Sequence, residues 1–562
     1  MGGKVEITTG PNGEVANRQL IEHSQKLARK LYKITDGVYN MVGVGLANAT
    51  LIEGEDGLII IDTGDCTEQS EEHYEAFKTV SDKPVKAIIY SHSHYVFGTT
   101  AYVPEDRRED IEIWAHRDVH RTATSFITEI SPTFLRRASI QFGIFLPPDG
   151  PDSAPNQGLS LYLFDRTKGV TSGYLAPNRT ISGRQEETIA GVKFQFASFA
   201  SDTDDTIVIW LPDKKVAINN HFWPTFANIY PLRGAAYRAP DEWIGGIDFM
   251  RSLTPDHLVG VHGPPLSGAK EIQNALTEYR DGIQFIYDQT IRGINLGRSP
   301  DELVEEIVLP DNLADSPWLQ QMYGEIPFYI RQIYNGVMGW FGNDAATLHR
   351  VPLKLEAEKI VTGFGGAQKV RDEIETALTN GEYAWAAQLA AYLTRRDPDD
   401  ADARRLKARV LRHIGQTTTA ANTRNFCITQ ALELEGKVNA QKAPFKFATQ
   451  DKIVQTPPGS FVKALRVRLN PAKSVGVDQR LSVTFADLDK CYALHVRNGI
   501  AEFFDPFSGP AKLGITLNRE DWAEMMAELF EGERSRFFSL LSEKSRIVGD
   551  AEAVKQFFDM FD

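Results

Sequence analysis

Residues 87–100 read AIIYSHSHYVFGTT, and this stretch decides how the N-terminal part of the chain folds. The apolar run Ala87-Ile88-Ile89-Tyr90 is the pattern of a buried strand, covered on both faces. It ends in Ser91-His92-Ser93-His94, so the strand delivers two imidazoles to its C-terminal mouth. Two positions apart in extended backbone, the side chains of His92 and His94 point the same way and can grip one metal ion.

Working outward, short strands at Leu31–Ile34, Val38–Val42 and Ala49–Glu53 are split by Asp36-Gly37 and Asp56-Gly57 turns. Leu58 to Ile61 is fully apolar and ends in Asp62, Thr63 and Gly64, and a polar helix from about Glu68 to Ser81 follows. Asp62 is placed to buttress the histidine loop. A β-rich start that turns into β-α alternation predicts an α/β sandwich with sheets covered by helices. Residues 120–190 are rich in Gly, Pro and Ser and poorly periodic, which predicts substrate-facing loops. Strands resume at Val192–Phe199, Thr206–Leu211 and Lys215–Asn219, with surface helices at Glu242–Leu253 and Ala269–Arg292.

From about residue 315 the pattern is helical alone. Val370–Thr379, Tyr383–Arg395 and Ala401–Ile414 are joined by Asn380-Gly381 and by Asp397 to Asp400. The hairpin looks like one tetratricopeptide unit, which cannot bury its face unaided and must pack on its own chain or on a second subunit. A further shift falls near Gly436 to Pro444. Beyond it alternating strands (Ala464–Asn470, Arg480–Phe485, Tyr492–Arg497, Ala501–Phe504) precede helices (Arg519–Phe530, Ser535–Leu541), the pattern of a small α+β domain. The expected domains are 28–314, 315–436 and 440–562.

At 562 residues the chain exceeds one hydrophobic core. A formal charge of −14 argues against a broad nucleic-acid surface and against a polybasic membrane contact, and leaves room for an anionic substrate held by a local arginine. Cys66, Cys427 and Cys491 are widely spaced with no C-x-x-C, which fits buried thiols in a reducing compartment. The N-terminus has no apolar targeting segment, and no apolar run is long enough to span a bilayer. The expected location is the cytoplasm.

Taken together, the segments resemble the alkylsulfatase branch of the metallo-β-lactamase superfamily, from roughly residue 28 onward. The resemblance rests on Lys33 to Tyr39, Leu51 to Gly54, Ser91 to His94, Leu232-Arg233-Gly234-Ala235, Gly339-Trp340-Phe341 with Asn343, Leu348-His349, Trp385-Ala386-Ala387 and Arg424-Asn425-Phe426. It implies a metallo-β-lactamase αββα sandwich, a helical dimerisation domain and hence a homodimer. It also implies a C-terminal α+β domain similar to sterol-carrier folds, sheltering apolar tails.

The resemblance also implies a ligand set. In that family an H-x-H-x-D-H signature gives two histidines to one metal, which takes a carboxylate as well. The second metal takes the signature's Asp and last His plus a distant His, and a Glu bridges the two ions. His92 and His94 carry over to the first metal, but Val96 and Phe97 stand where the Asp and last His would be. The family's T-E-A-P motif resembles Thr203-Asp204-Asp205-Thr206, so Asp204 stands in for the first carboxylate. Counting back from Leu232-Arg233-Gly234-Ala235, the bridging Glu falls on Asn220, and His221 can substitute if the strand slips by one. His262, in Val261-His262-Gly263-Pro264, matches the distant His. The remote His73, His120, His349 and His413 have no partners at ligand spacing.

The candidate metal ligands are thus His92, His94, Asp204, His221 and His262, and one divalent ion per chain is expected, zinc or iron(II). Tyr95 and Arg233 are the catalytic candidates, with Arg233, Asn228 and Phe97 for substrate. A bidentate guanidinium suits a sulfate, and Tyr95, Phe97, Phe222, Trp223 and Phe226 can form a dry pocket. Three functions stay open: a metal-dependent hydrolase of an alkyl sulfate or related anionic ester with an apolar tail, a mononuclear iron oxygenase or lyase, and a non-catalytic binding protein. Imidazole and carboxylate accept both metals, so ligand softness does not separate the first two.

Overall fold

The structure, a computed structural model, describes residues 5–125, 128–441 and 449–562. It forms two compact units. The first holds the residues up to Val119 with Arg136–Gly173 and Pro177–Ala443, and the second holds His120–Leu135, Tyr174–Ala176 and Pro444–Asp562.

The first unit contains two packed sheets. In one, Lys30–Thr35, Val38–Val42, Ala49–Glu53 and Leu58–Ile61 pair antiparallel, and Leu58–Ile61, Val85–Tyr90, Glu112–His116 and Arg179–Ile181 continue in parallel. The other runs Arg184–Ile189, Val192–Ser198, Ile207–Leu211, Val216–Asn219, His257–Gly260 and Leu266–Ser267. It is antiparallel except where Val216–Asn219 meets His257–Gly260. Ile59, Ile61, Ala87 and Ile89 of the first sheet pack on Phe194, Phe196, Ile207, Ile209 and Ile218 of the second. Ile88 and Tyr90 point to the other face of their strand and are equally buried, as a doubly covered strand requires. Helices Thr67–Lys78 and Ala269–Asn295 lie on the outer faces, completing the αββα order.

The strand that carries the histidines stops where its loop becomes too crowded to vary. A Cβ on Gly98 would stand 2.0 Å from Ser70 Oγ and 2.3 Å from Thr63 O, so only glycine lets the loop fold back on the first sheet. A backbone hydrogen bond of 2.9 Å from Ile207 N to Ser91 O ties the two sheets together at this edge.

The helices Ala367–Asn380, Tyr383–Arg396 and Ala401–Thr417 form the expected hairpin array. Ala386 and Ala390 are buried at the close approach, among Val370, Ile374, Leu389 and Val410. In the second unit a five-stranded sheet (Asp478–Phe485, Lys490–Arg497, Ile500–Phe504, Leu513–Leu517, Arg546–Val548) packs its inner face on Trp522, Met526, Phe537 and Phe558.

Two expectations need revision. Residues 120–190 are not loop alone: they include helices Val119–Ser125 and Ser131–Gln141 and the strands Arg179–Ile181 and Arg184–Ile189. Ala464–Asn470, expected as a strand, is helical as far as Arg468, because Pro458 starts a helix through Ala464 that tightens into a 3-10 turn at Leu465–Arg468, and only Leu469 bridges antiparallel to Phe561. The polar N-terminal stretch is ordered from Val5, with Ile7–Thr9 paired to Val15–Asn17 and Leu20 buried. The compositional shift near Gly436 to Pro444 lies partly outside the described residues.

Candidate metal centre

The site forms where strand ends meet. Val85–Tyr90 supplies His92 and His94, the turn after Val192–Ser198 supplies Asp202, and Val216–Asn219 leads into Asn220. Ligand atoms of His92, His94 and Asp202 all lie within 4.8 Å of one another, the one such group of three among the described residues. Asp202 Oδ2 is 2.9 Å from His94 Nδ1, and Asp202 Oδ1 is 3.8 Å from His92 Nε2.

A chain of hydrogen bonds fixes the His92 ring. Asp62, at the end of Leu58–Ile61 with φ +61°, accepts from Ser91 N at 2.8 Å and from Ser91 Oγ at 2.7 Å. Having given its proton to Asp62, the Ser91 hydroxyl accepts from His92 Nδ1 at 2.9 Å. His92 Nε2 is therefore left as a lone pair on the side of Asp202, where it accepts from Asn220 Nδ2 at 3.3 Å, and this is the tautomer a metal ligand needs. Burial pushes the Asp62 carboxyl up to about 7 against the two Ser91 hydrogen bonds. It holds the His92 imidazole well below its ordinary value, keeping the ring neutral.

Asp202 is almost completely buried, and burial pushes its carboxyl up. His94, His92 and Arg238 outweigh that effect and hold it well below the ordinary carboxylate value, so the group is ionised. Arg238 Nη2 lies 4.0 Å from Asp202 Oδ2. Arg238 Nη1 donates to Asn228 O, and the side chain is itself buried; burial lowers its guanidinium to about 10, still charged at neutral pH. Arg238 and Asp202 were not among the residues expected from the sequence.

The structure places the expected residues as follows. His92 and His94 come together. Asp204 is exposed on the turn, and Asp202, two residues earlier, takes the place foreseen for it. His221 stands outside the group: its ring packs where a Cβ on Gly246 would approach to 2.4 Å, edge-on to Trp243, and burial lowers it to about 4. His262 also stands outside the group. Its Nδ1 donates to Leu46 O at 2.8 Å, and its Nε2 is 3.3 Å from the Tyr95 hydroxyl. Arg233 is half-buried, with Nη1 donating to Gly234 O at 3.3 Å and its charge acting on Tyr95, Tyr323 and Arg238. Asn228 is buried, and its Oδ1 has no hydrogen-bond partner among the described residues. Phe97 is half-buried, and its backbone bonds Gly64 O and Gly173 N.

These residues fit one cation. His92 and His94 bring imidazole nitrogens and Asp202 an ionised carboxylate, all in a buried setting with the His92 tautomer locked. They do not fit the second ion that the resemblance implies. Val96 and Phe97 have no side-chain donor atom, and the indole nitrogen of Trp223, which can only donate, holds Asn220 Oδ1 at 3.1 Å. The Asn220 NH2 therefore faces inward, 2.6 Å from Asp202 Oδ1 and 3.3 Å from His92 Nε2, and an amide NH2 offers a metal nothing.

Comparison with known proteins agrees with this architecture. Residues 42–95 match the metallo-beta-lactamase superfamily, 299–437 the alkyl sulfatase dimerisation family and 446–562 the alkyl sulfatase C-terminal family. A linear primary-alkylsulfatase of Pseudomonas sp. (strain ATCC 19151) is 33% identical over 91% of this chain and 98% of its own length. An alkyl/aryl-sulfatase of Saccharomyces cerevisiae is 27% identical over 95% of this chain and 82% of its own. Among solved structures, a stereoselective inverting sec-alkylsulfatase from Pseudomonas sp. superimposes with a TM-score of 0.87 at 25% identity, covering 100% of this chain and 92% of the other. The chain belongs to the alkylsulfatase family, hydrolytic enzymes built on the metallo-β-lactamase fold.

Proposed function

We propose that this protein hydrolyses alkyl sulfates at a centre holding one divalent ion on His92, His94 and Asp202. The observation that carries the reading is the buried His92-His94-Asp202 group in a chain that is 33% identical to a linear primary-alkylsulfatase over nearly its whole length. A divalent ion held there would supply Lewis acidity to an ester oxygen. The protein's own residues would do the rest. Arg238, 4.0 Å from Asp202, and Arg233 beside it would supply the positive charge that a sulfate needs, and Asn228 Oδ1, next to the carbonyl that Arg238 holds, would give a further polar contact. Tyr95, Trp223 and Tyr323 wall the site with buried rings, excluding water and strengthening each charge–charge contact. Phe97, at the half-exposed rim, is a candidate for the start of an apolar tail. The two-histidine, one-carboxylate count also suits iron(II), but the sulfatase relatives favour hydrolysis over oxygen chemistry.

We further propose a homodimer formed by the helical segment, with functional segments 28–314, 315–436 and 440–562. In support, Val337, Met338, Trp340, Leu348, Val351 and Leu353 are exposed within the segment that matches the dimerisation family, and Trp340 is 69% exposed. No helix among the described residues is long and apolar enough to cross a membrane.

The test is release of inorganic sulfate from dodecyl sulfate by protein stripped of metal and then reloaded with zinc, or with iron(II) in a parallel arm. Hydrolysis restored by one equivalent of either ion is expected. Fully loaded protein that releases no sulfate from primary or secondary alkyl sulfates would refute the reading.

A further inference from the structure

In two positions beside Asp202 a potential metal donor is present, and in both it is already committed to a hydrogen bond. His262 Nδ1 faces the carbonyl of Leu46 at 2.8 Å, and a carbonyl only accepts. The proton therefore sits on Nδ1, and Nε2 is a lone pair that accepts from the Tyr95 hydroxyl at 3.3 Å. Asn220 Oδ1, the one atom of that amide able to ligate, accepts from Trp223 Nε1 at 3.1 Å, and the same indole N–H also reaches Asn220 O at 3.1 Å. Tyr95, Trp223, Asn220 and His262 are all buried, so neither N–H nor O–H can turn to water instead.

We infer that Tyr95 and Trp223 are the residues that hold this centre at one ion, by occupying the lone pairs of His262 and Asn220 that a second cation would need. The inference rests on the one-ion reading above and says what enforces it. To recruit a second ion, the site must break both bonds and leave a phenol O–H and an indole N–H buried without partners. Each orphaned donor lowers affinity for that ion by roughly tenfold to a hundredfold. Tyr95 sits directly after the His92-Ser93-His94 pair, so the residue that closes the second position is delivered by the same loop that opens the first.

Removing the two donors reverses the argument. In a Tyr95→Phe, Trp223→Phe double variant the aromatic walls remain, but His262 Nε2 and Asn220 Oδ1 become orphaned acceptors, and the Asn220 amide, then held only through its NH2 on Asp202, His92 and Ser201, can turn its oxygen toward a cation that displaces those contacts. A cation is the group that satisfies such a set.

The experiment titrates metal-free full-length protein with zinc against a chelating indicator, and independently counts zinc in dialysed protein by mass spectrometry. Wild type should take one equivalent. The double variant should take two, and adding His262→Ala to it should return the count to one. Each single variant should bind a second zinc more weakly than the double variant. The wild-type arm depends on no substitution: two zinc ions per chain, with the second lost in His262→Ala, would overturn the inference and the one-ion reading together. A double variant with unchanged circular dichroism that still takes one zinc would overturn the inference alone. Sulfate release is not read in either arm, so failure of the sulfatase reading stays separable.

Discussion

Replacing Asp202 and Asp204 one at a time by asparagine separates the carboxylate that the sequence suggested from the one the fold delivers. Asp202 accepts from Asn220 Nδ2 at 2.6 Å, lies 2.9 Å from His94 Nδ1, and faces Arg238 at 4.0 Å. Asparagine has nearly the same shape but lacks the charge, and one of its two terminal atoms must be an NH2. Toward Asn220 that NH2 meets another donor, and toward Arg238 it leaves a buried guanidinium unpaired. At 4.0 Å a charge pair is worth about 4 kcal/mol with an effective dielectric near 20, and breaking a buried pair costs about 3–5 kcal/mol. Loss of stability of about 3 kcal/mol is therefore expected in metal-free Asp202→Asn, together with loss of bound metal. Asp204 is exposed on the turn, so Asp204→Asn should leave both stability and metal content unchanged. Differential scanning calorimetry of the metal-free proteins and metal analysis of the loaded ones read the two effects apart. Metal lost in Asp204→Asn and kept in Asp202→Asn would refute the assignment of Asp202.

Ser91→Ala removes the hydroxyl that joins Asp62 to His92, so zinc affinity should fall by roughly tenfold to a hundredfold with little change in fold, as a competition titration would show. Burial lowers the His73 imidazole from its ordinary value near 6.5 to about 4, and neither ring nitrogen has a hydrogen-bond partner among the described residues. The unfolded chain therefore takes a proton that the folded one refuses. Stability contributed by neutral His73 is complete above pH 6.5 and falls by about 3 kcal/mol as pH drops to 4, so denaturant melts of His73→Leu should lose less stability across that window than wild type. Light scattering should give about twice 62.8 kDa, and Trp340→Glu with Leu353→Glu should shift it toward the monomer; a wild-type monomer at micromolar concentration would defeat the dimer proposal.

The parts of this protein that could be read from its sequence are those where a repeating physical demand leaves a repeating pattern. Residues 58–61 and 87–90 had to be apolar on both faces because they lie inside a covered sheet, and that is visible in eight residues. His92 and His94 were legible because period-two geometry puts both rings on one side of one strand end. The carboxylate was not, because Asp202, Asp204 and Asp205 share one turn with no period to say which points inward. Only the packed turn shows Asp205 Oδ1 accepting from Ser93 N at 3.3 Å while Asp202 reaches the histidines. Arg238 was missed for a related reason: two residues before a Pro-started helix, an arginine reads as a solvated charge until the fold buries it against Asp202. Residues 120–190 were misread because Gly and Pro there punctuate short elements. Asn220 shows the limit of reading residue types alone. Its identity said only that a charge was missing, whereas its effect depends on which end of the amide faces Asp202. That orientation is set by an indole three residues along, on a turn where Asn219 Oδ1 also accepts from His221 N and Phe222 N and so fixes the path from the strand to Trp223. The proposed one-ion specificity would thus be written in hydrogen-bond direction, which a sequence does not display and a folded site does.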